Sequence, residues 1–227
     1  MAAVTFATGA YAVWGADFYQ SVRGMPLAKA GTYIGGLTAV AGLLGIALGT
    51  VLADQLDKVT KRSYLLLAAA ALIVAIPLGL FGILDPNQFS SLAYLFGAMI
   101  LLAMVLGPCN TVIANVVPSN RRAAGFALYI FLIHVFGDIS SPIILGWISD
   151  HFGNPAVAAK PLGQFFASIG AKPVEDKNLT LAMLSVVPVM ALGCIFFLLG
   201  SRTLPADQEK ARLAGGDDAG SGGFMGH

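Results

Sequence analysis

Residues His134–Asp150 read HVFGDISSPIILGWISD. The stretch places two ionisable groups, His134 and Asp138, with a proline and a glycine in a run that is otherwise apolar. Counted from about Ala123 to Asp150, that run is long enough to cross a bilayer, and its midpoint falls near Phe136. Helices are one of the two forms a chain can take there, because every backbone polar group must be satisfied internally. A charged side chain at mid-membrane costs at least ~2.5–3.5 kcal/mol on insertion scales, so it faces a polar cavity or a partner rather than lipid. The stretch therefore implies one wall of a path through a membrane.

His134 and Asp138 are four residues apart, which puts them on one helix face with β-carbons ~5–6 Å from each other. Pro142, Gly146 and Asp150 continue the same row. Two readings of the pair stay open, a hydrogen bond that packs helices and a cavity-facing pair whose protonation changes. Desolvation and mutual attraction push the two groups in opposite senses. Pro142 and Gly146 on the same row read as a helix hinge.

Composition extends this reading to the whole chain. Of 227 residues, 57% are hydrophobic and 11% charged, against roughly a quarter charged in a soluble domain. The mean hydropathy is +0.79. A net charge of +1 without a basic, aromatic-interleaved patch gives no sign of a nucleic-acid partner. Cys109 and Cys194 lie inside apolar runs without metal-ligand or disulfide-framework spacing, so no metal and no cofactor is expected.

Six apolar spans follow from the pattern, at about Ala2–Tyr19, Lys29–Asp54, Ser63–Leu84, Leu92–Val117, Ala123–Asp150 and Leu179–Ser201. The first ends among Trp14, Phe18 and Tyr19, suited to an aromatic interfacial belt. Asp17 among them is either an interfacial carboxylate or a substrate or gating contact. The second span carries Gly31, Gly35, Gly36, Gly42, Gly45 and Gly49, small residues that let membrane helices approach closely. In the fourth, Gly107-Pro108 should interrupt the hydrogen-bond ladder, with Asn110 and Asn115 just beyond as an interhelical hydrogen-bond site or a cavity-lining hinge. The long connector His151–Asn178 holds an apolar piece, Leu162–Ile169, that lies on the membrane surface or anchors a loop. From Arg202 the composition turns to Gly, Asp, Lys and Ala, and residues 202–227 read as a disordered cytoplasmic tail after a 1–201 membrane domain. Lys58, Lys61, Arg62, Arg121 and Arg122 in the short connectors favour both termini on the cytoplasmic side.

Enzyme signatures are missing from the pattern. The serines near His134 belong to its own span, and His134 with Asp138 supplies only two groups of a zinc set. The segment Thr50–Arg62, TVLADQLDKVTKR, resembles a degenerate copy of the loop motif of the major facilitator superfamily. Leu52, Ala53, Asp54 and Lys58 match it, while Thr50, Gln55 and Asp57 depart from it. The resemblance implies that Asp54 and Lys58, with Arg62 beside them, act as a conformational latch. The first span and the run His134–Asp150 are more specific and resemble the Spinster family of that superfamily, in which a His, Gly-Asp, Ser-Pro and Gly-x-x-Ser-Asp punctuate the eleventh helix. His134, Gly137, Asp138, Ser141, Pro142, Gly146, Ser149 and Asp150 occupy those positions here.

The fold class implied is an all-α membrane protein of six transmembrane helices, equivalent to the C-terminal half of a major facilitator fold. The function implied is secondary active transport by alternating access, with proton coupling and a lysolipid- or sphingoid-like substrate. His134, Asp138, Asn110, Asn115 and Asp17 would line the substrate or proton pathway, and Pro108, Pro142 and Gly146 would act as helix hinges. The expected partners are the lipid bilayer, a small-molecule or lipid substrate, and an N-terminal six-helix half or a second copy, the chain being either a fragment of a longer frame or a half that assembles. The expected location is a bacterial inner membrane. The other function carried forward is a non-transporting membrane scaffold held together by the glycine-rich second span.

Overall fold

Apolar runs that cannot expose backbone to lipid become helices, and prolines decide where those helices break. The computed structural model describes residues 1–221 and is helical nearly throughout. The elements are α1 (Ala2–Ser21), α2 (Leu27–Asp57), α3 (Ser63–Leu84), α4 (Gln88–Met104), α5 (Leu106–Val116), α6 (Arg122–Ile133), a π-helical segment (His134–Ile139), α7 (Ser140–Gly153), the short α8 (Pro155–Ala158) and α9 (Pro161–Ser168), α10 (Leu179–Leu184) and α11 (Val186–Ser221).

Six helical spans result, three of them in pieces. Proline lacks the N–H that would bond the carbonyl four residues back, so it frees that carbonyl and loosens the turn before it. Pro108, Pro142 and Pro188 each stand third in the helix after a break, in α5, α7 and α11. The breaks fall at Val105, at His134–Ile139 and at Ser185, where the ladder tightens or widens. Pro77 and Pro205 lie inside α3 and α11 without interrupting them.

Helix α1 is the centre of the bundle. Val4, Ala7, Ala10, Tyr11 and Tyr19 are fully buried, and α1 packs on α2, the π segment, α7, α10 and α11. Among the described residues, five spans are long and apolar enough to cross a membrane; α1, with 20 residues, is not one of them. Its polar groups are tolerable because neighbouring helices receive them, as Thr5 does by donating to the Ile133 carbonyl at 2.9 Å. Around it, α3 packs on α4 and α11, and α2 packs on α4. Gly45 and Gly49 make the last contact possible: a β-carbon on Gly49 would overlap the Met104 carbonyl, the one that Pro108 frees, and one on Gly45 would meet the Ile100 carbonyl. By contrast Gly31, Gly35, Gly36 and Gly42 have open space beside them.

Little of α2 or of the fifth span is covered. Only 22% and 17% of their most apolar windows are buried, against 44–50% in the other three. Exposed Leu43, Val51, Phe131, Phe136, Ile143 and Trp147 belong to these two elements.

The connectors are ordered. Arg23 donates to the Ile83 carbonyl at 2.5 Å and Gln88 to the Arg23 carbonyl at 2.6 Å, tying the turn after α1 to the turn after α3. In the long connector, Leu162–Ile169 becomes α9 with its first and last residues shifted by one, Phe166 resting against Phe152 at 5.4 Å while Leu162 and Phe165 stay exposed. The last helix departs from expectation. It does not end at Ser201 but continues through Ser221, and Leu204 and Ala211 are buried against the bundle. The helix thus covers part of the expected tail, with Leu204 and Ala211 seven residues apart on its buried side, and the tail's final residues, 222–227, lie outside the described residues.

Candidate functional site

The π segment coincides with the residues singled out at the start. One residue too many per turn, a widened ring and loosened carbonyls are what a π bulge gives, and such bulges gather at functional sites. Within it His134 Nδ1 and Asp138 Oδ2 are 2.6 Å apart, a short hydrogen bond. The pair is open, with 53% and 38% of the two side chains exposed.

Helix α1 holds this segment at three levels. Gly137 sits on Thr5, whose hydroxyl occupies the space a β-carbon would need. Gly9 faces Asp138 and Ser141, where a β-carbon would stand 2.8 Å from Ser141 Oγ and 3.3 Å from Asp138 Oδ1. Trp14 donates its indole N–H to the Pro142 carbonyl at 3.1 Å, and its ring covers Gly146. The expected single polar row is thus divided. His134 and Asp138 keep an open face, whereas Pro142 and Gly146 turn toward Trp14, because the π segment shifts the helical register between them. Gly146 serves close packing in this arrangement. Ser140 Oγ donates back to Phe136 at 2.8 Å, and buried Ser141 Oγ has no hydrogen-bond partner among the described residues.

An apolar cavity of about 290 Å³ reaches as far as Ile133 and is lined by Ala2, Cys109, Val112, Tyr129 and Leu132 among others; His134 and Asp138 are not part of its lining. Its lining brings α1, α3, α5, α6 and α11 together and includes Ile133, the residue that precedes His134. A polar pair next to an apolar chamber can take a molecule with a polar end and an alkyl part.

The other predicted residues are dispersed. Asn110 is exposed on α5 and makes no hydrogen bond to the pair; Asn115 is exposed further along and faces a cavity at the end of the bundle with Lys61 and Arg122. Asp17 is half-buried on α1, twelve residues from Thr5, about 18 Å along the helix, so it does not join His134. Pro108 is buried at the α4–α5 break. Asp54, Lys58 and Arg62 are exposed and form no ion pair among the described residues; the pair in this segment is Asp57–Lys61 at 3.0 Å. The sequence reading missed Thr5, Gly9 and Trp14 as supports of the pair, although a Thr-x-x-x-Gly step in a helix with buried neighbours was a visible signal of close packing.

No family model matches the chain. Curated relatives do. It is 26% identical over 226 residues to spinster homolog 1 of Xenopus laevis, which covers 92% of this chain and 40% of the relative. It is 27% identical over 224 residues to a sphingosine-1-phosphate transporter of Danio rerio, covering 92% and 42%, and 30% identical over 149 residues to a probable sphingolipid transporter, spinster homolog 1, of Arabidopsis thaliana, covering 66% and 30%. The chain is similar to Spinster homologues over about 92% of its length. Its fold agrees with a crystal structure of a bacterial homolog to the human lysosomal transporter Spinster, in an inward-facing and unoccupied conformation. The TM-score is 0.75 at 22% identity, with 91% of this chain and 47% of that one covered. The occupied conformation of such a homolog gives 0.69 at 23% identity. This Spinster-like chain spans less than half the length of the curated relatives named above. Its Spinster-like relatives are named as transporters, and its apolar helices make it an integral membrane protein.

Proposed function

We propose that the chain is the C-terminal half of a secondary transporter that works by alternating access, with an amphiphilic substrate of lysolipid or sphingoid type and a proton exchanged at His134–Asp138. The observation that carries this reading is the hydrogen-bonded, open pair in a π segment beside an apolar cavity. An ionisable pair at membrane depth that is neither buried nor lipid-neutral suits a proton relay, and the apolar cavity suits an alkyl chain. The names of the relatives, sphingolipid and sphingosine-1-phosphate transporters, support the substrate class.

The partner in this reading is an N-terminal six-helix half or a second copy of the chain. The exposed faces of α2 and the fifth span are where it would close the path, as two repeats that rock about a central site require. Asp54, Lys58 and Arg62, exposed and without ion pairs, are placed to latch onto that half. Both termini are assigned to the cytoplasmic side of a bacterial inner membrane, since Lys61, Arg122 and Arg212 gather at one end of the bundle.

The test is uptake of a labelled lysophospholipid or sphingoid base by the complete two-half protein across a pH series. Asp138→Asn is expected to abolish the pH dependence and lower uptake while membrane insertion stays intact. Uptake that keeps its pH profile in this variant defeats the role given to the pair.

A second reading, a membrane scaffold, is favoured by the open glycines of α2. Gly35→Leu would then break association in detergent while Asp138→Asn leaves it unchanged. Gly45→Leu cannot serve this purpose, because Gly45 packs inside the chain on Ile100 and Ala103.

A further inference from the structure

A second site lies at the charged end of the bundle, away from the His134–Asp138 pair. A cavity of about 470 Å³ is formed where the connector after α2, the end of α5, the start of α6 and the extension of α11 meet, and Lys61, Asn115, Ser119, Arg122, Gln208 and Arg212 line it. None of its lining residues is acidic. Lys61 and Arg212 each touch a carboxylate outside the cavity, Asp57 at 3.0 Å and Glu209 at 2.7 Å. Those pairs are exposed, so a stronger anion can displace them. Arg122 makes no ion pair among the described residues. Three cations with hydroxyl and amide groups between them match a phosphate diester, which takes guanidinium in a fork and ammonium as a point charge.

The neighbouring cavity supplies what a soluble anion would not use. It measures about 590 Å³, shares Ala211 with the first and runs between α3, α5 and α11 along Leu65, Val112, Val116 and Leu204, with Thr203, Asp207 and Lys210 among its polar lining. Helix α11 has 36 residues, about 54 Å of helix, against ~30 Å of hydrocarbon. Its charged part from Arg202 therefore emerges at headgroup level, where the cationic cavity adjoins the larger one at Ala211. Arg122 and His134 are twelve residues apart in the fifth span, about 18 Å along it, so the two sites are separate.

We propose that this rim site binds an anionic glycerophospholipid, its phosphate held by Arg122, Lys61 and Arg212 and an acyl chain lying between α3, α5 and α11. The site is independent of the transport reading, since binding there requires neither substrate nor pH gradient. Occupied, it ties the α11 extension to the connectors after α2 and α5.

Thermal unfolding of the purified full chain in detergent, titrated with dioleoylphosphatidylglycerol, dioleoylphosphatidylcholine or glycerol 3-phosphate, tests it. Phosphatidylglycerol is expected to raise the midpoint, and phosphatidylcholine and glycerol 3-phosphate are not. Lys61→Gln with Arg122→Gln is expected to weaken the response on the order of tenfold, while Lys160→Gln with Lys172→Gln, at the opposite end, keeps it. Native mass spectrometry of the unaltered chain should retain phosphatidylglycerol against competing phosphatidylcholine, a reading that does not depend on any variant folding. Equal responses to both lipids, a full response in the first double variant, loss of response in the second, or a glycerol 3-phosphate effect equal to that of the lipid overturns the proposal.

Discussion

Gly137 has no side chain, and Thr5 occupies the place where one would begin. Gly137→Ala should therefore destabilise the bundle by about 1–3 kcal/mol, the usual cost of forcing atoms into a packed contact, read as a lower unfolding midpoint. Thr5→Ala in the same chain should recover part of that loss, a coupling that a double-mutant cycle detects. A different residue sets an acid response. Asp85, in the connector after α3, accepts the Ser90 hydroxyl and the Asn87 N–H at 2.8 Å, and these hydrogen bonds hold its carboxyl below the usual range. The folded state then binds this proton less readily than the unfolded chain. Its contribution to stability is complete above ~3.9, the ordinary aspartate value, and fades as pH falls through the lowered one. Asp85→Asn should flatten the stability curve in that window, lowering stability at pH 7, where the carboxylate's contribution is complete, and converging with the unaltered chain at low pH. At this scale His134 and Asp138 could be read directly from their spacing, since a four-residue step brings side chains together in an α-turn and in the π segment alike. Thr5 and Gly9 showed only a small-residue step suited to close packing, and which helix they meet, more than a hundred residues away, could not be read from it.

The elements divide the glycines of α2 into two classes that composition treats alike. Gly49→Ala should destabilise the chain through its contact with the Met104 carbonyl, whereas Gly35→Ala, with open space beside it, should be neutral or stabilise by up to about 1 kcal/mol through helix propensity. Equal effects at the two positions would remove the close α2–α4 approach from this account. The extension of α11 gives a second test. Leu204 is 2% exposed, so Leu204→Ala should cost about 2 kcal/mol or more in the same melting experiment, while a disordered tail would be indifferent. The helix breaks at Pro108 and Pro142 follow from chemistry visible in the sequence. That Pro142 opens a whole π segment, while Pro77 leaves α3 unbroken, depends on what the freed carbonyls meet in neighbouring helices. Pro188 carried the same signal as the other two and was hidden in an apolar run without charged residues to draw attention to it.

For the molecule as a whole, six apolar runs and a Spinster-like signature were enough to give the fold, because lipid leaves a chain few ways to satisfy its backbone. The site was only partly legible. Asn110, Asn115 and Asp17 share a residue type with pathway groups but not a location, since position around a bundle is set by which helix faces which. The bare faces of α2 and the fifth span belong to the same limit, since which side of an apolar run stays uncovered is not encoded in the run itself. Helix α1 and the fifth span run in the same direction and touch at Thr5–Gly137, Gly9–Ser141 and Trp14–Gly146. Three such clasps along two parallel rods leave no room for one to slide on the other without a clash at every level. Any conformational cycle must therefore carry them as a single rigid strut, with motion displaced to other helix pairs. Spin labels on Val13→Cys and Ile143→Cys, both on exposed positions, should report one unchanging distance while labels on α2 and α7 report two.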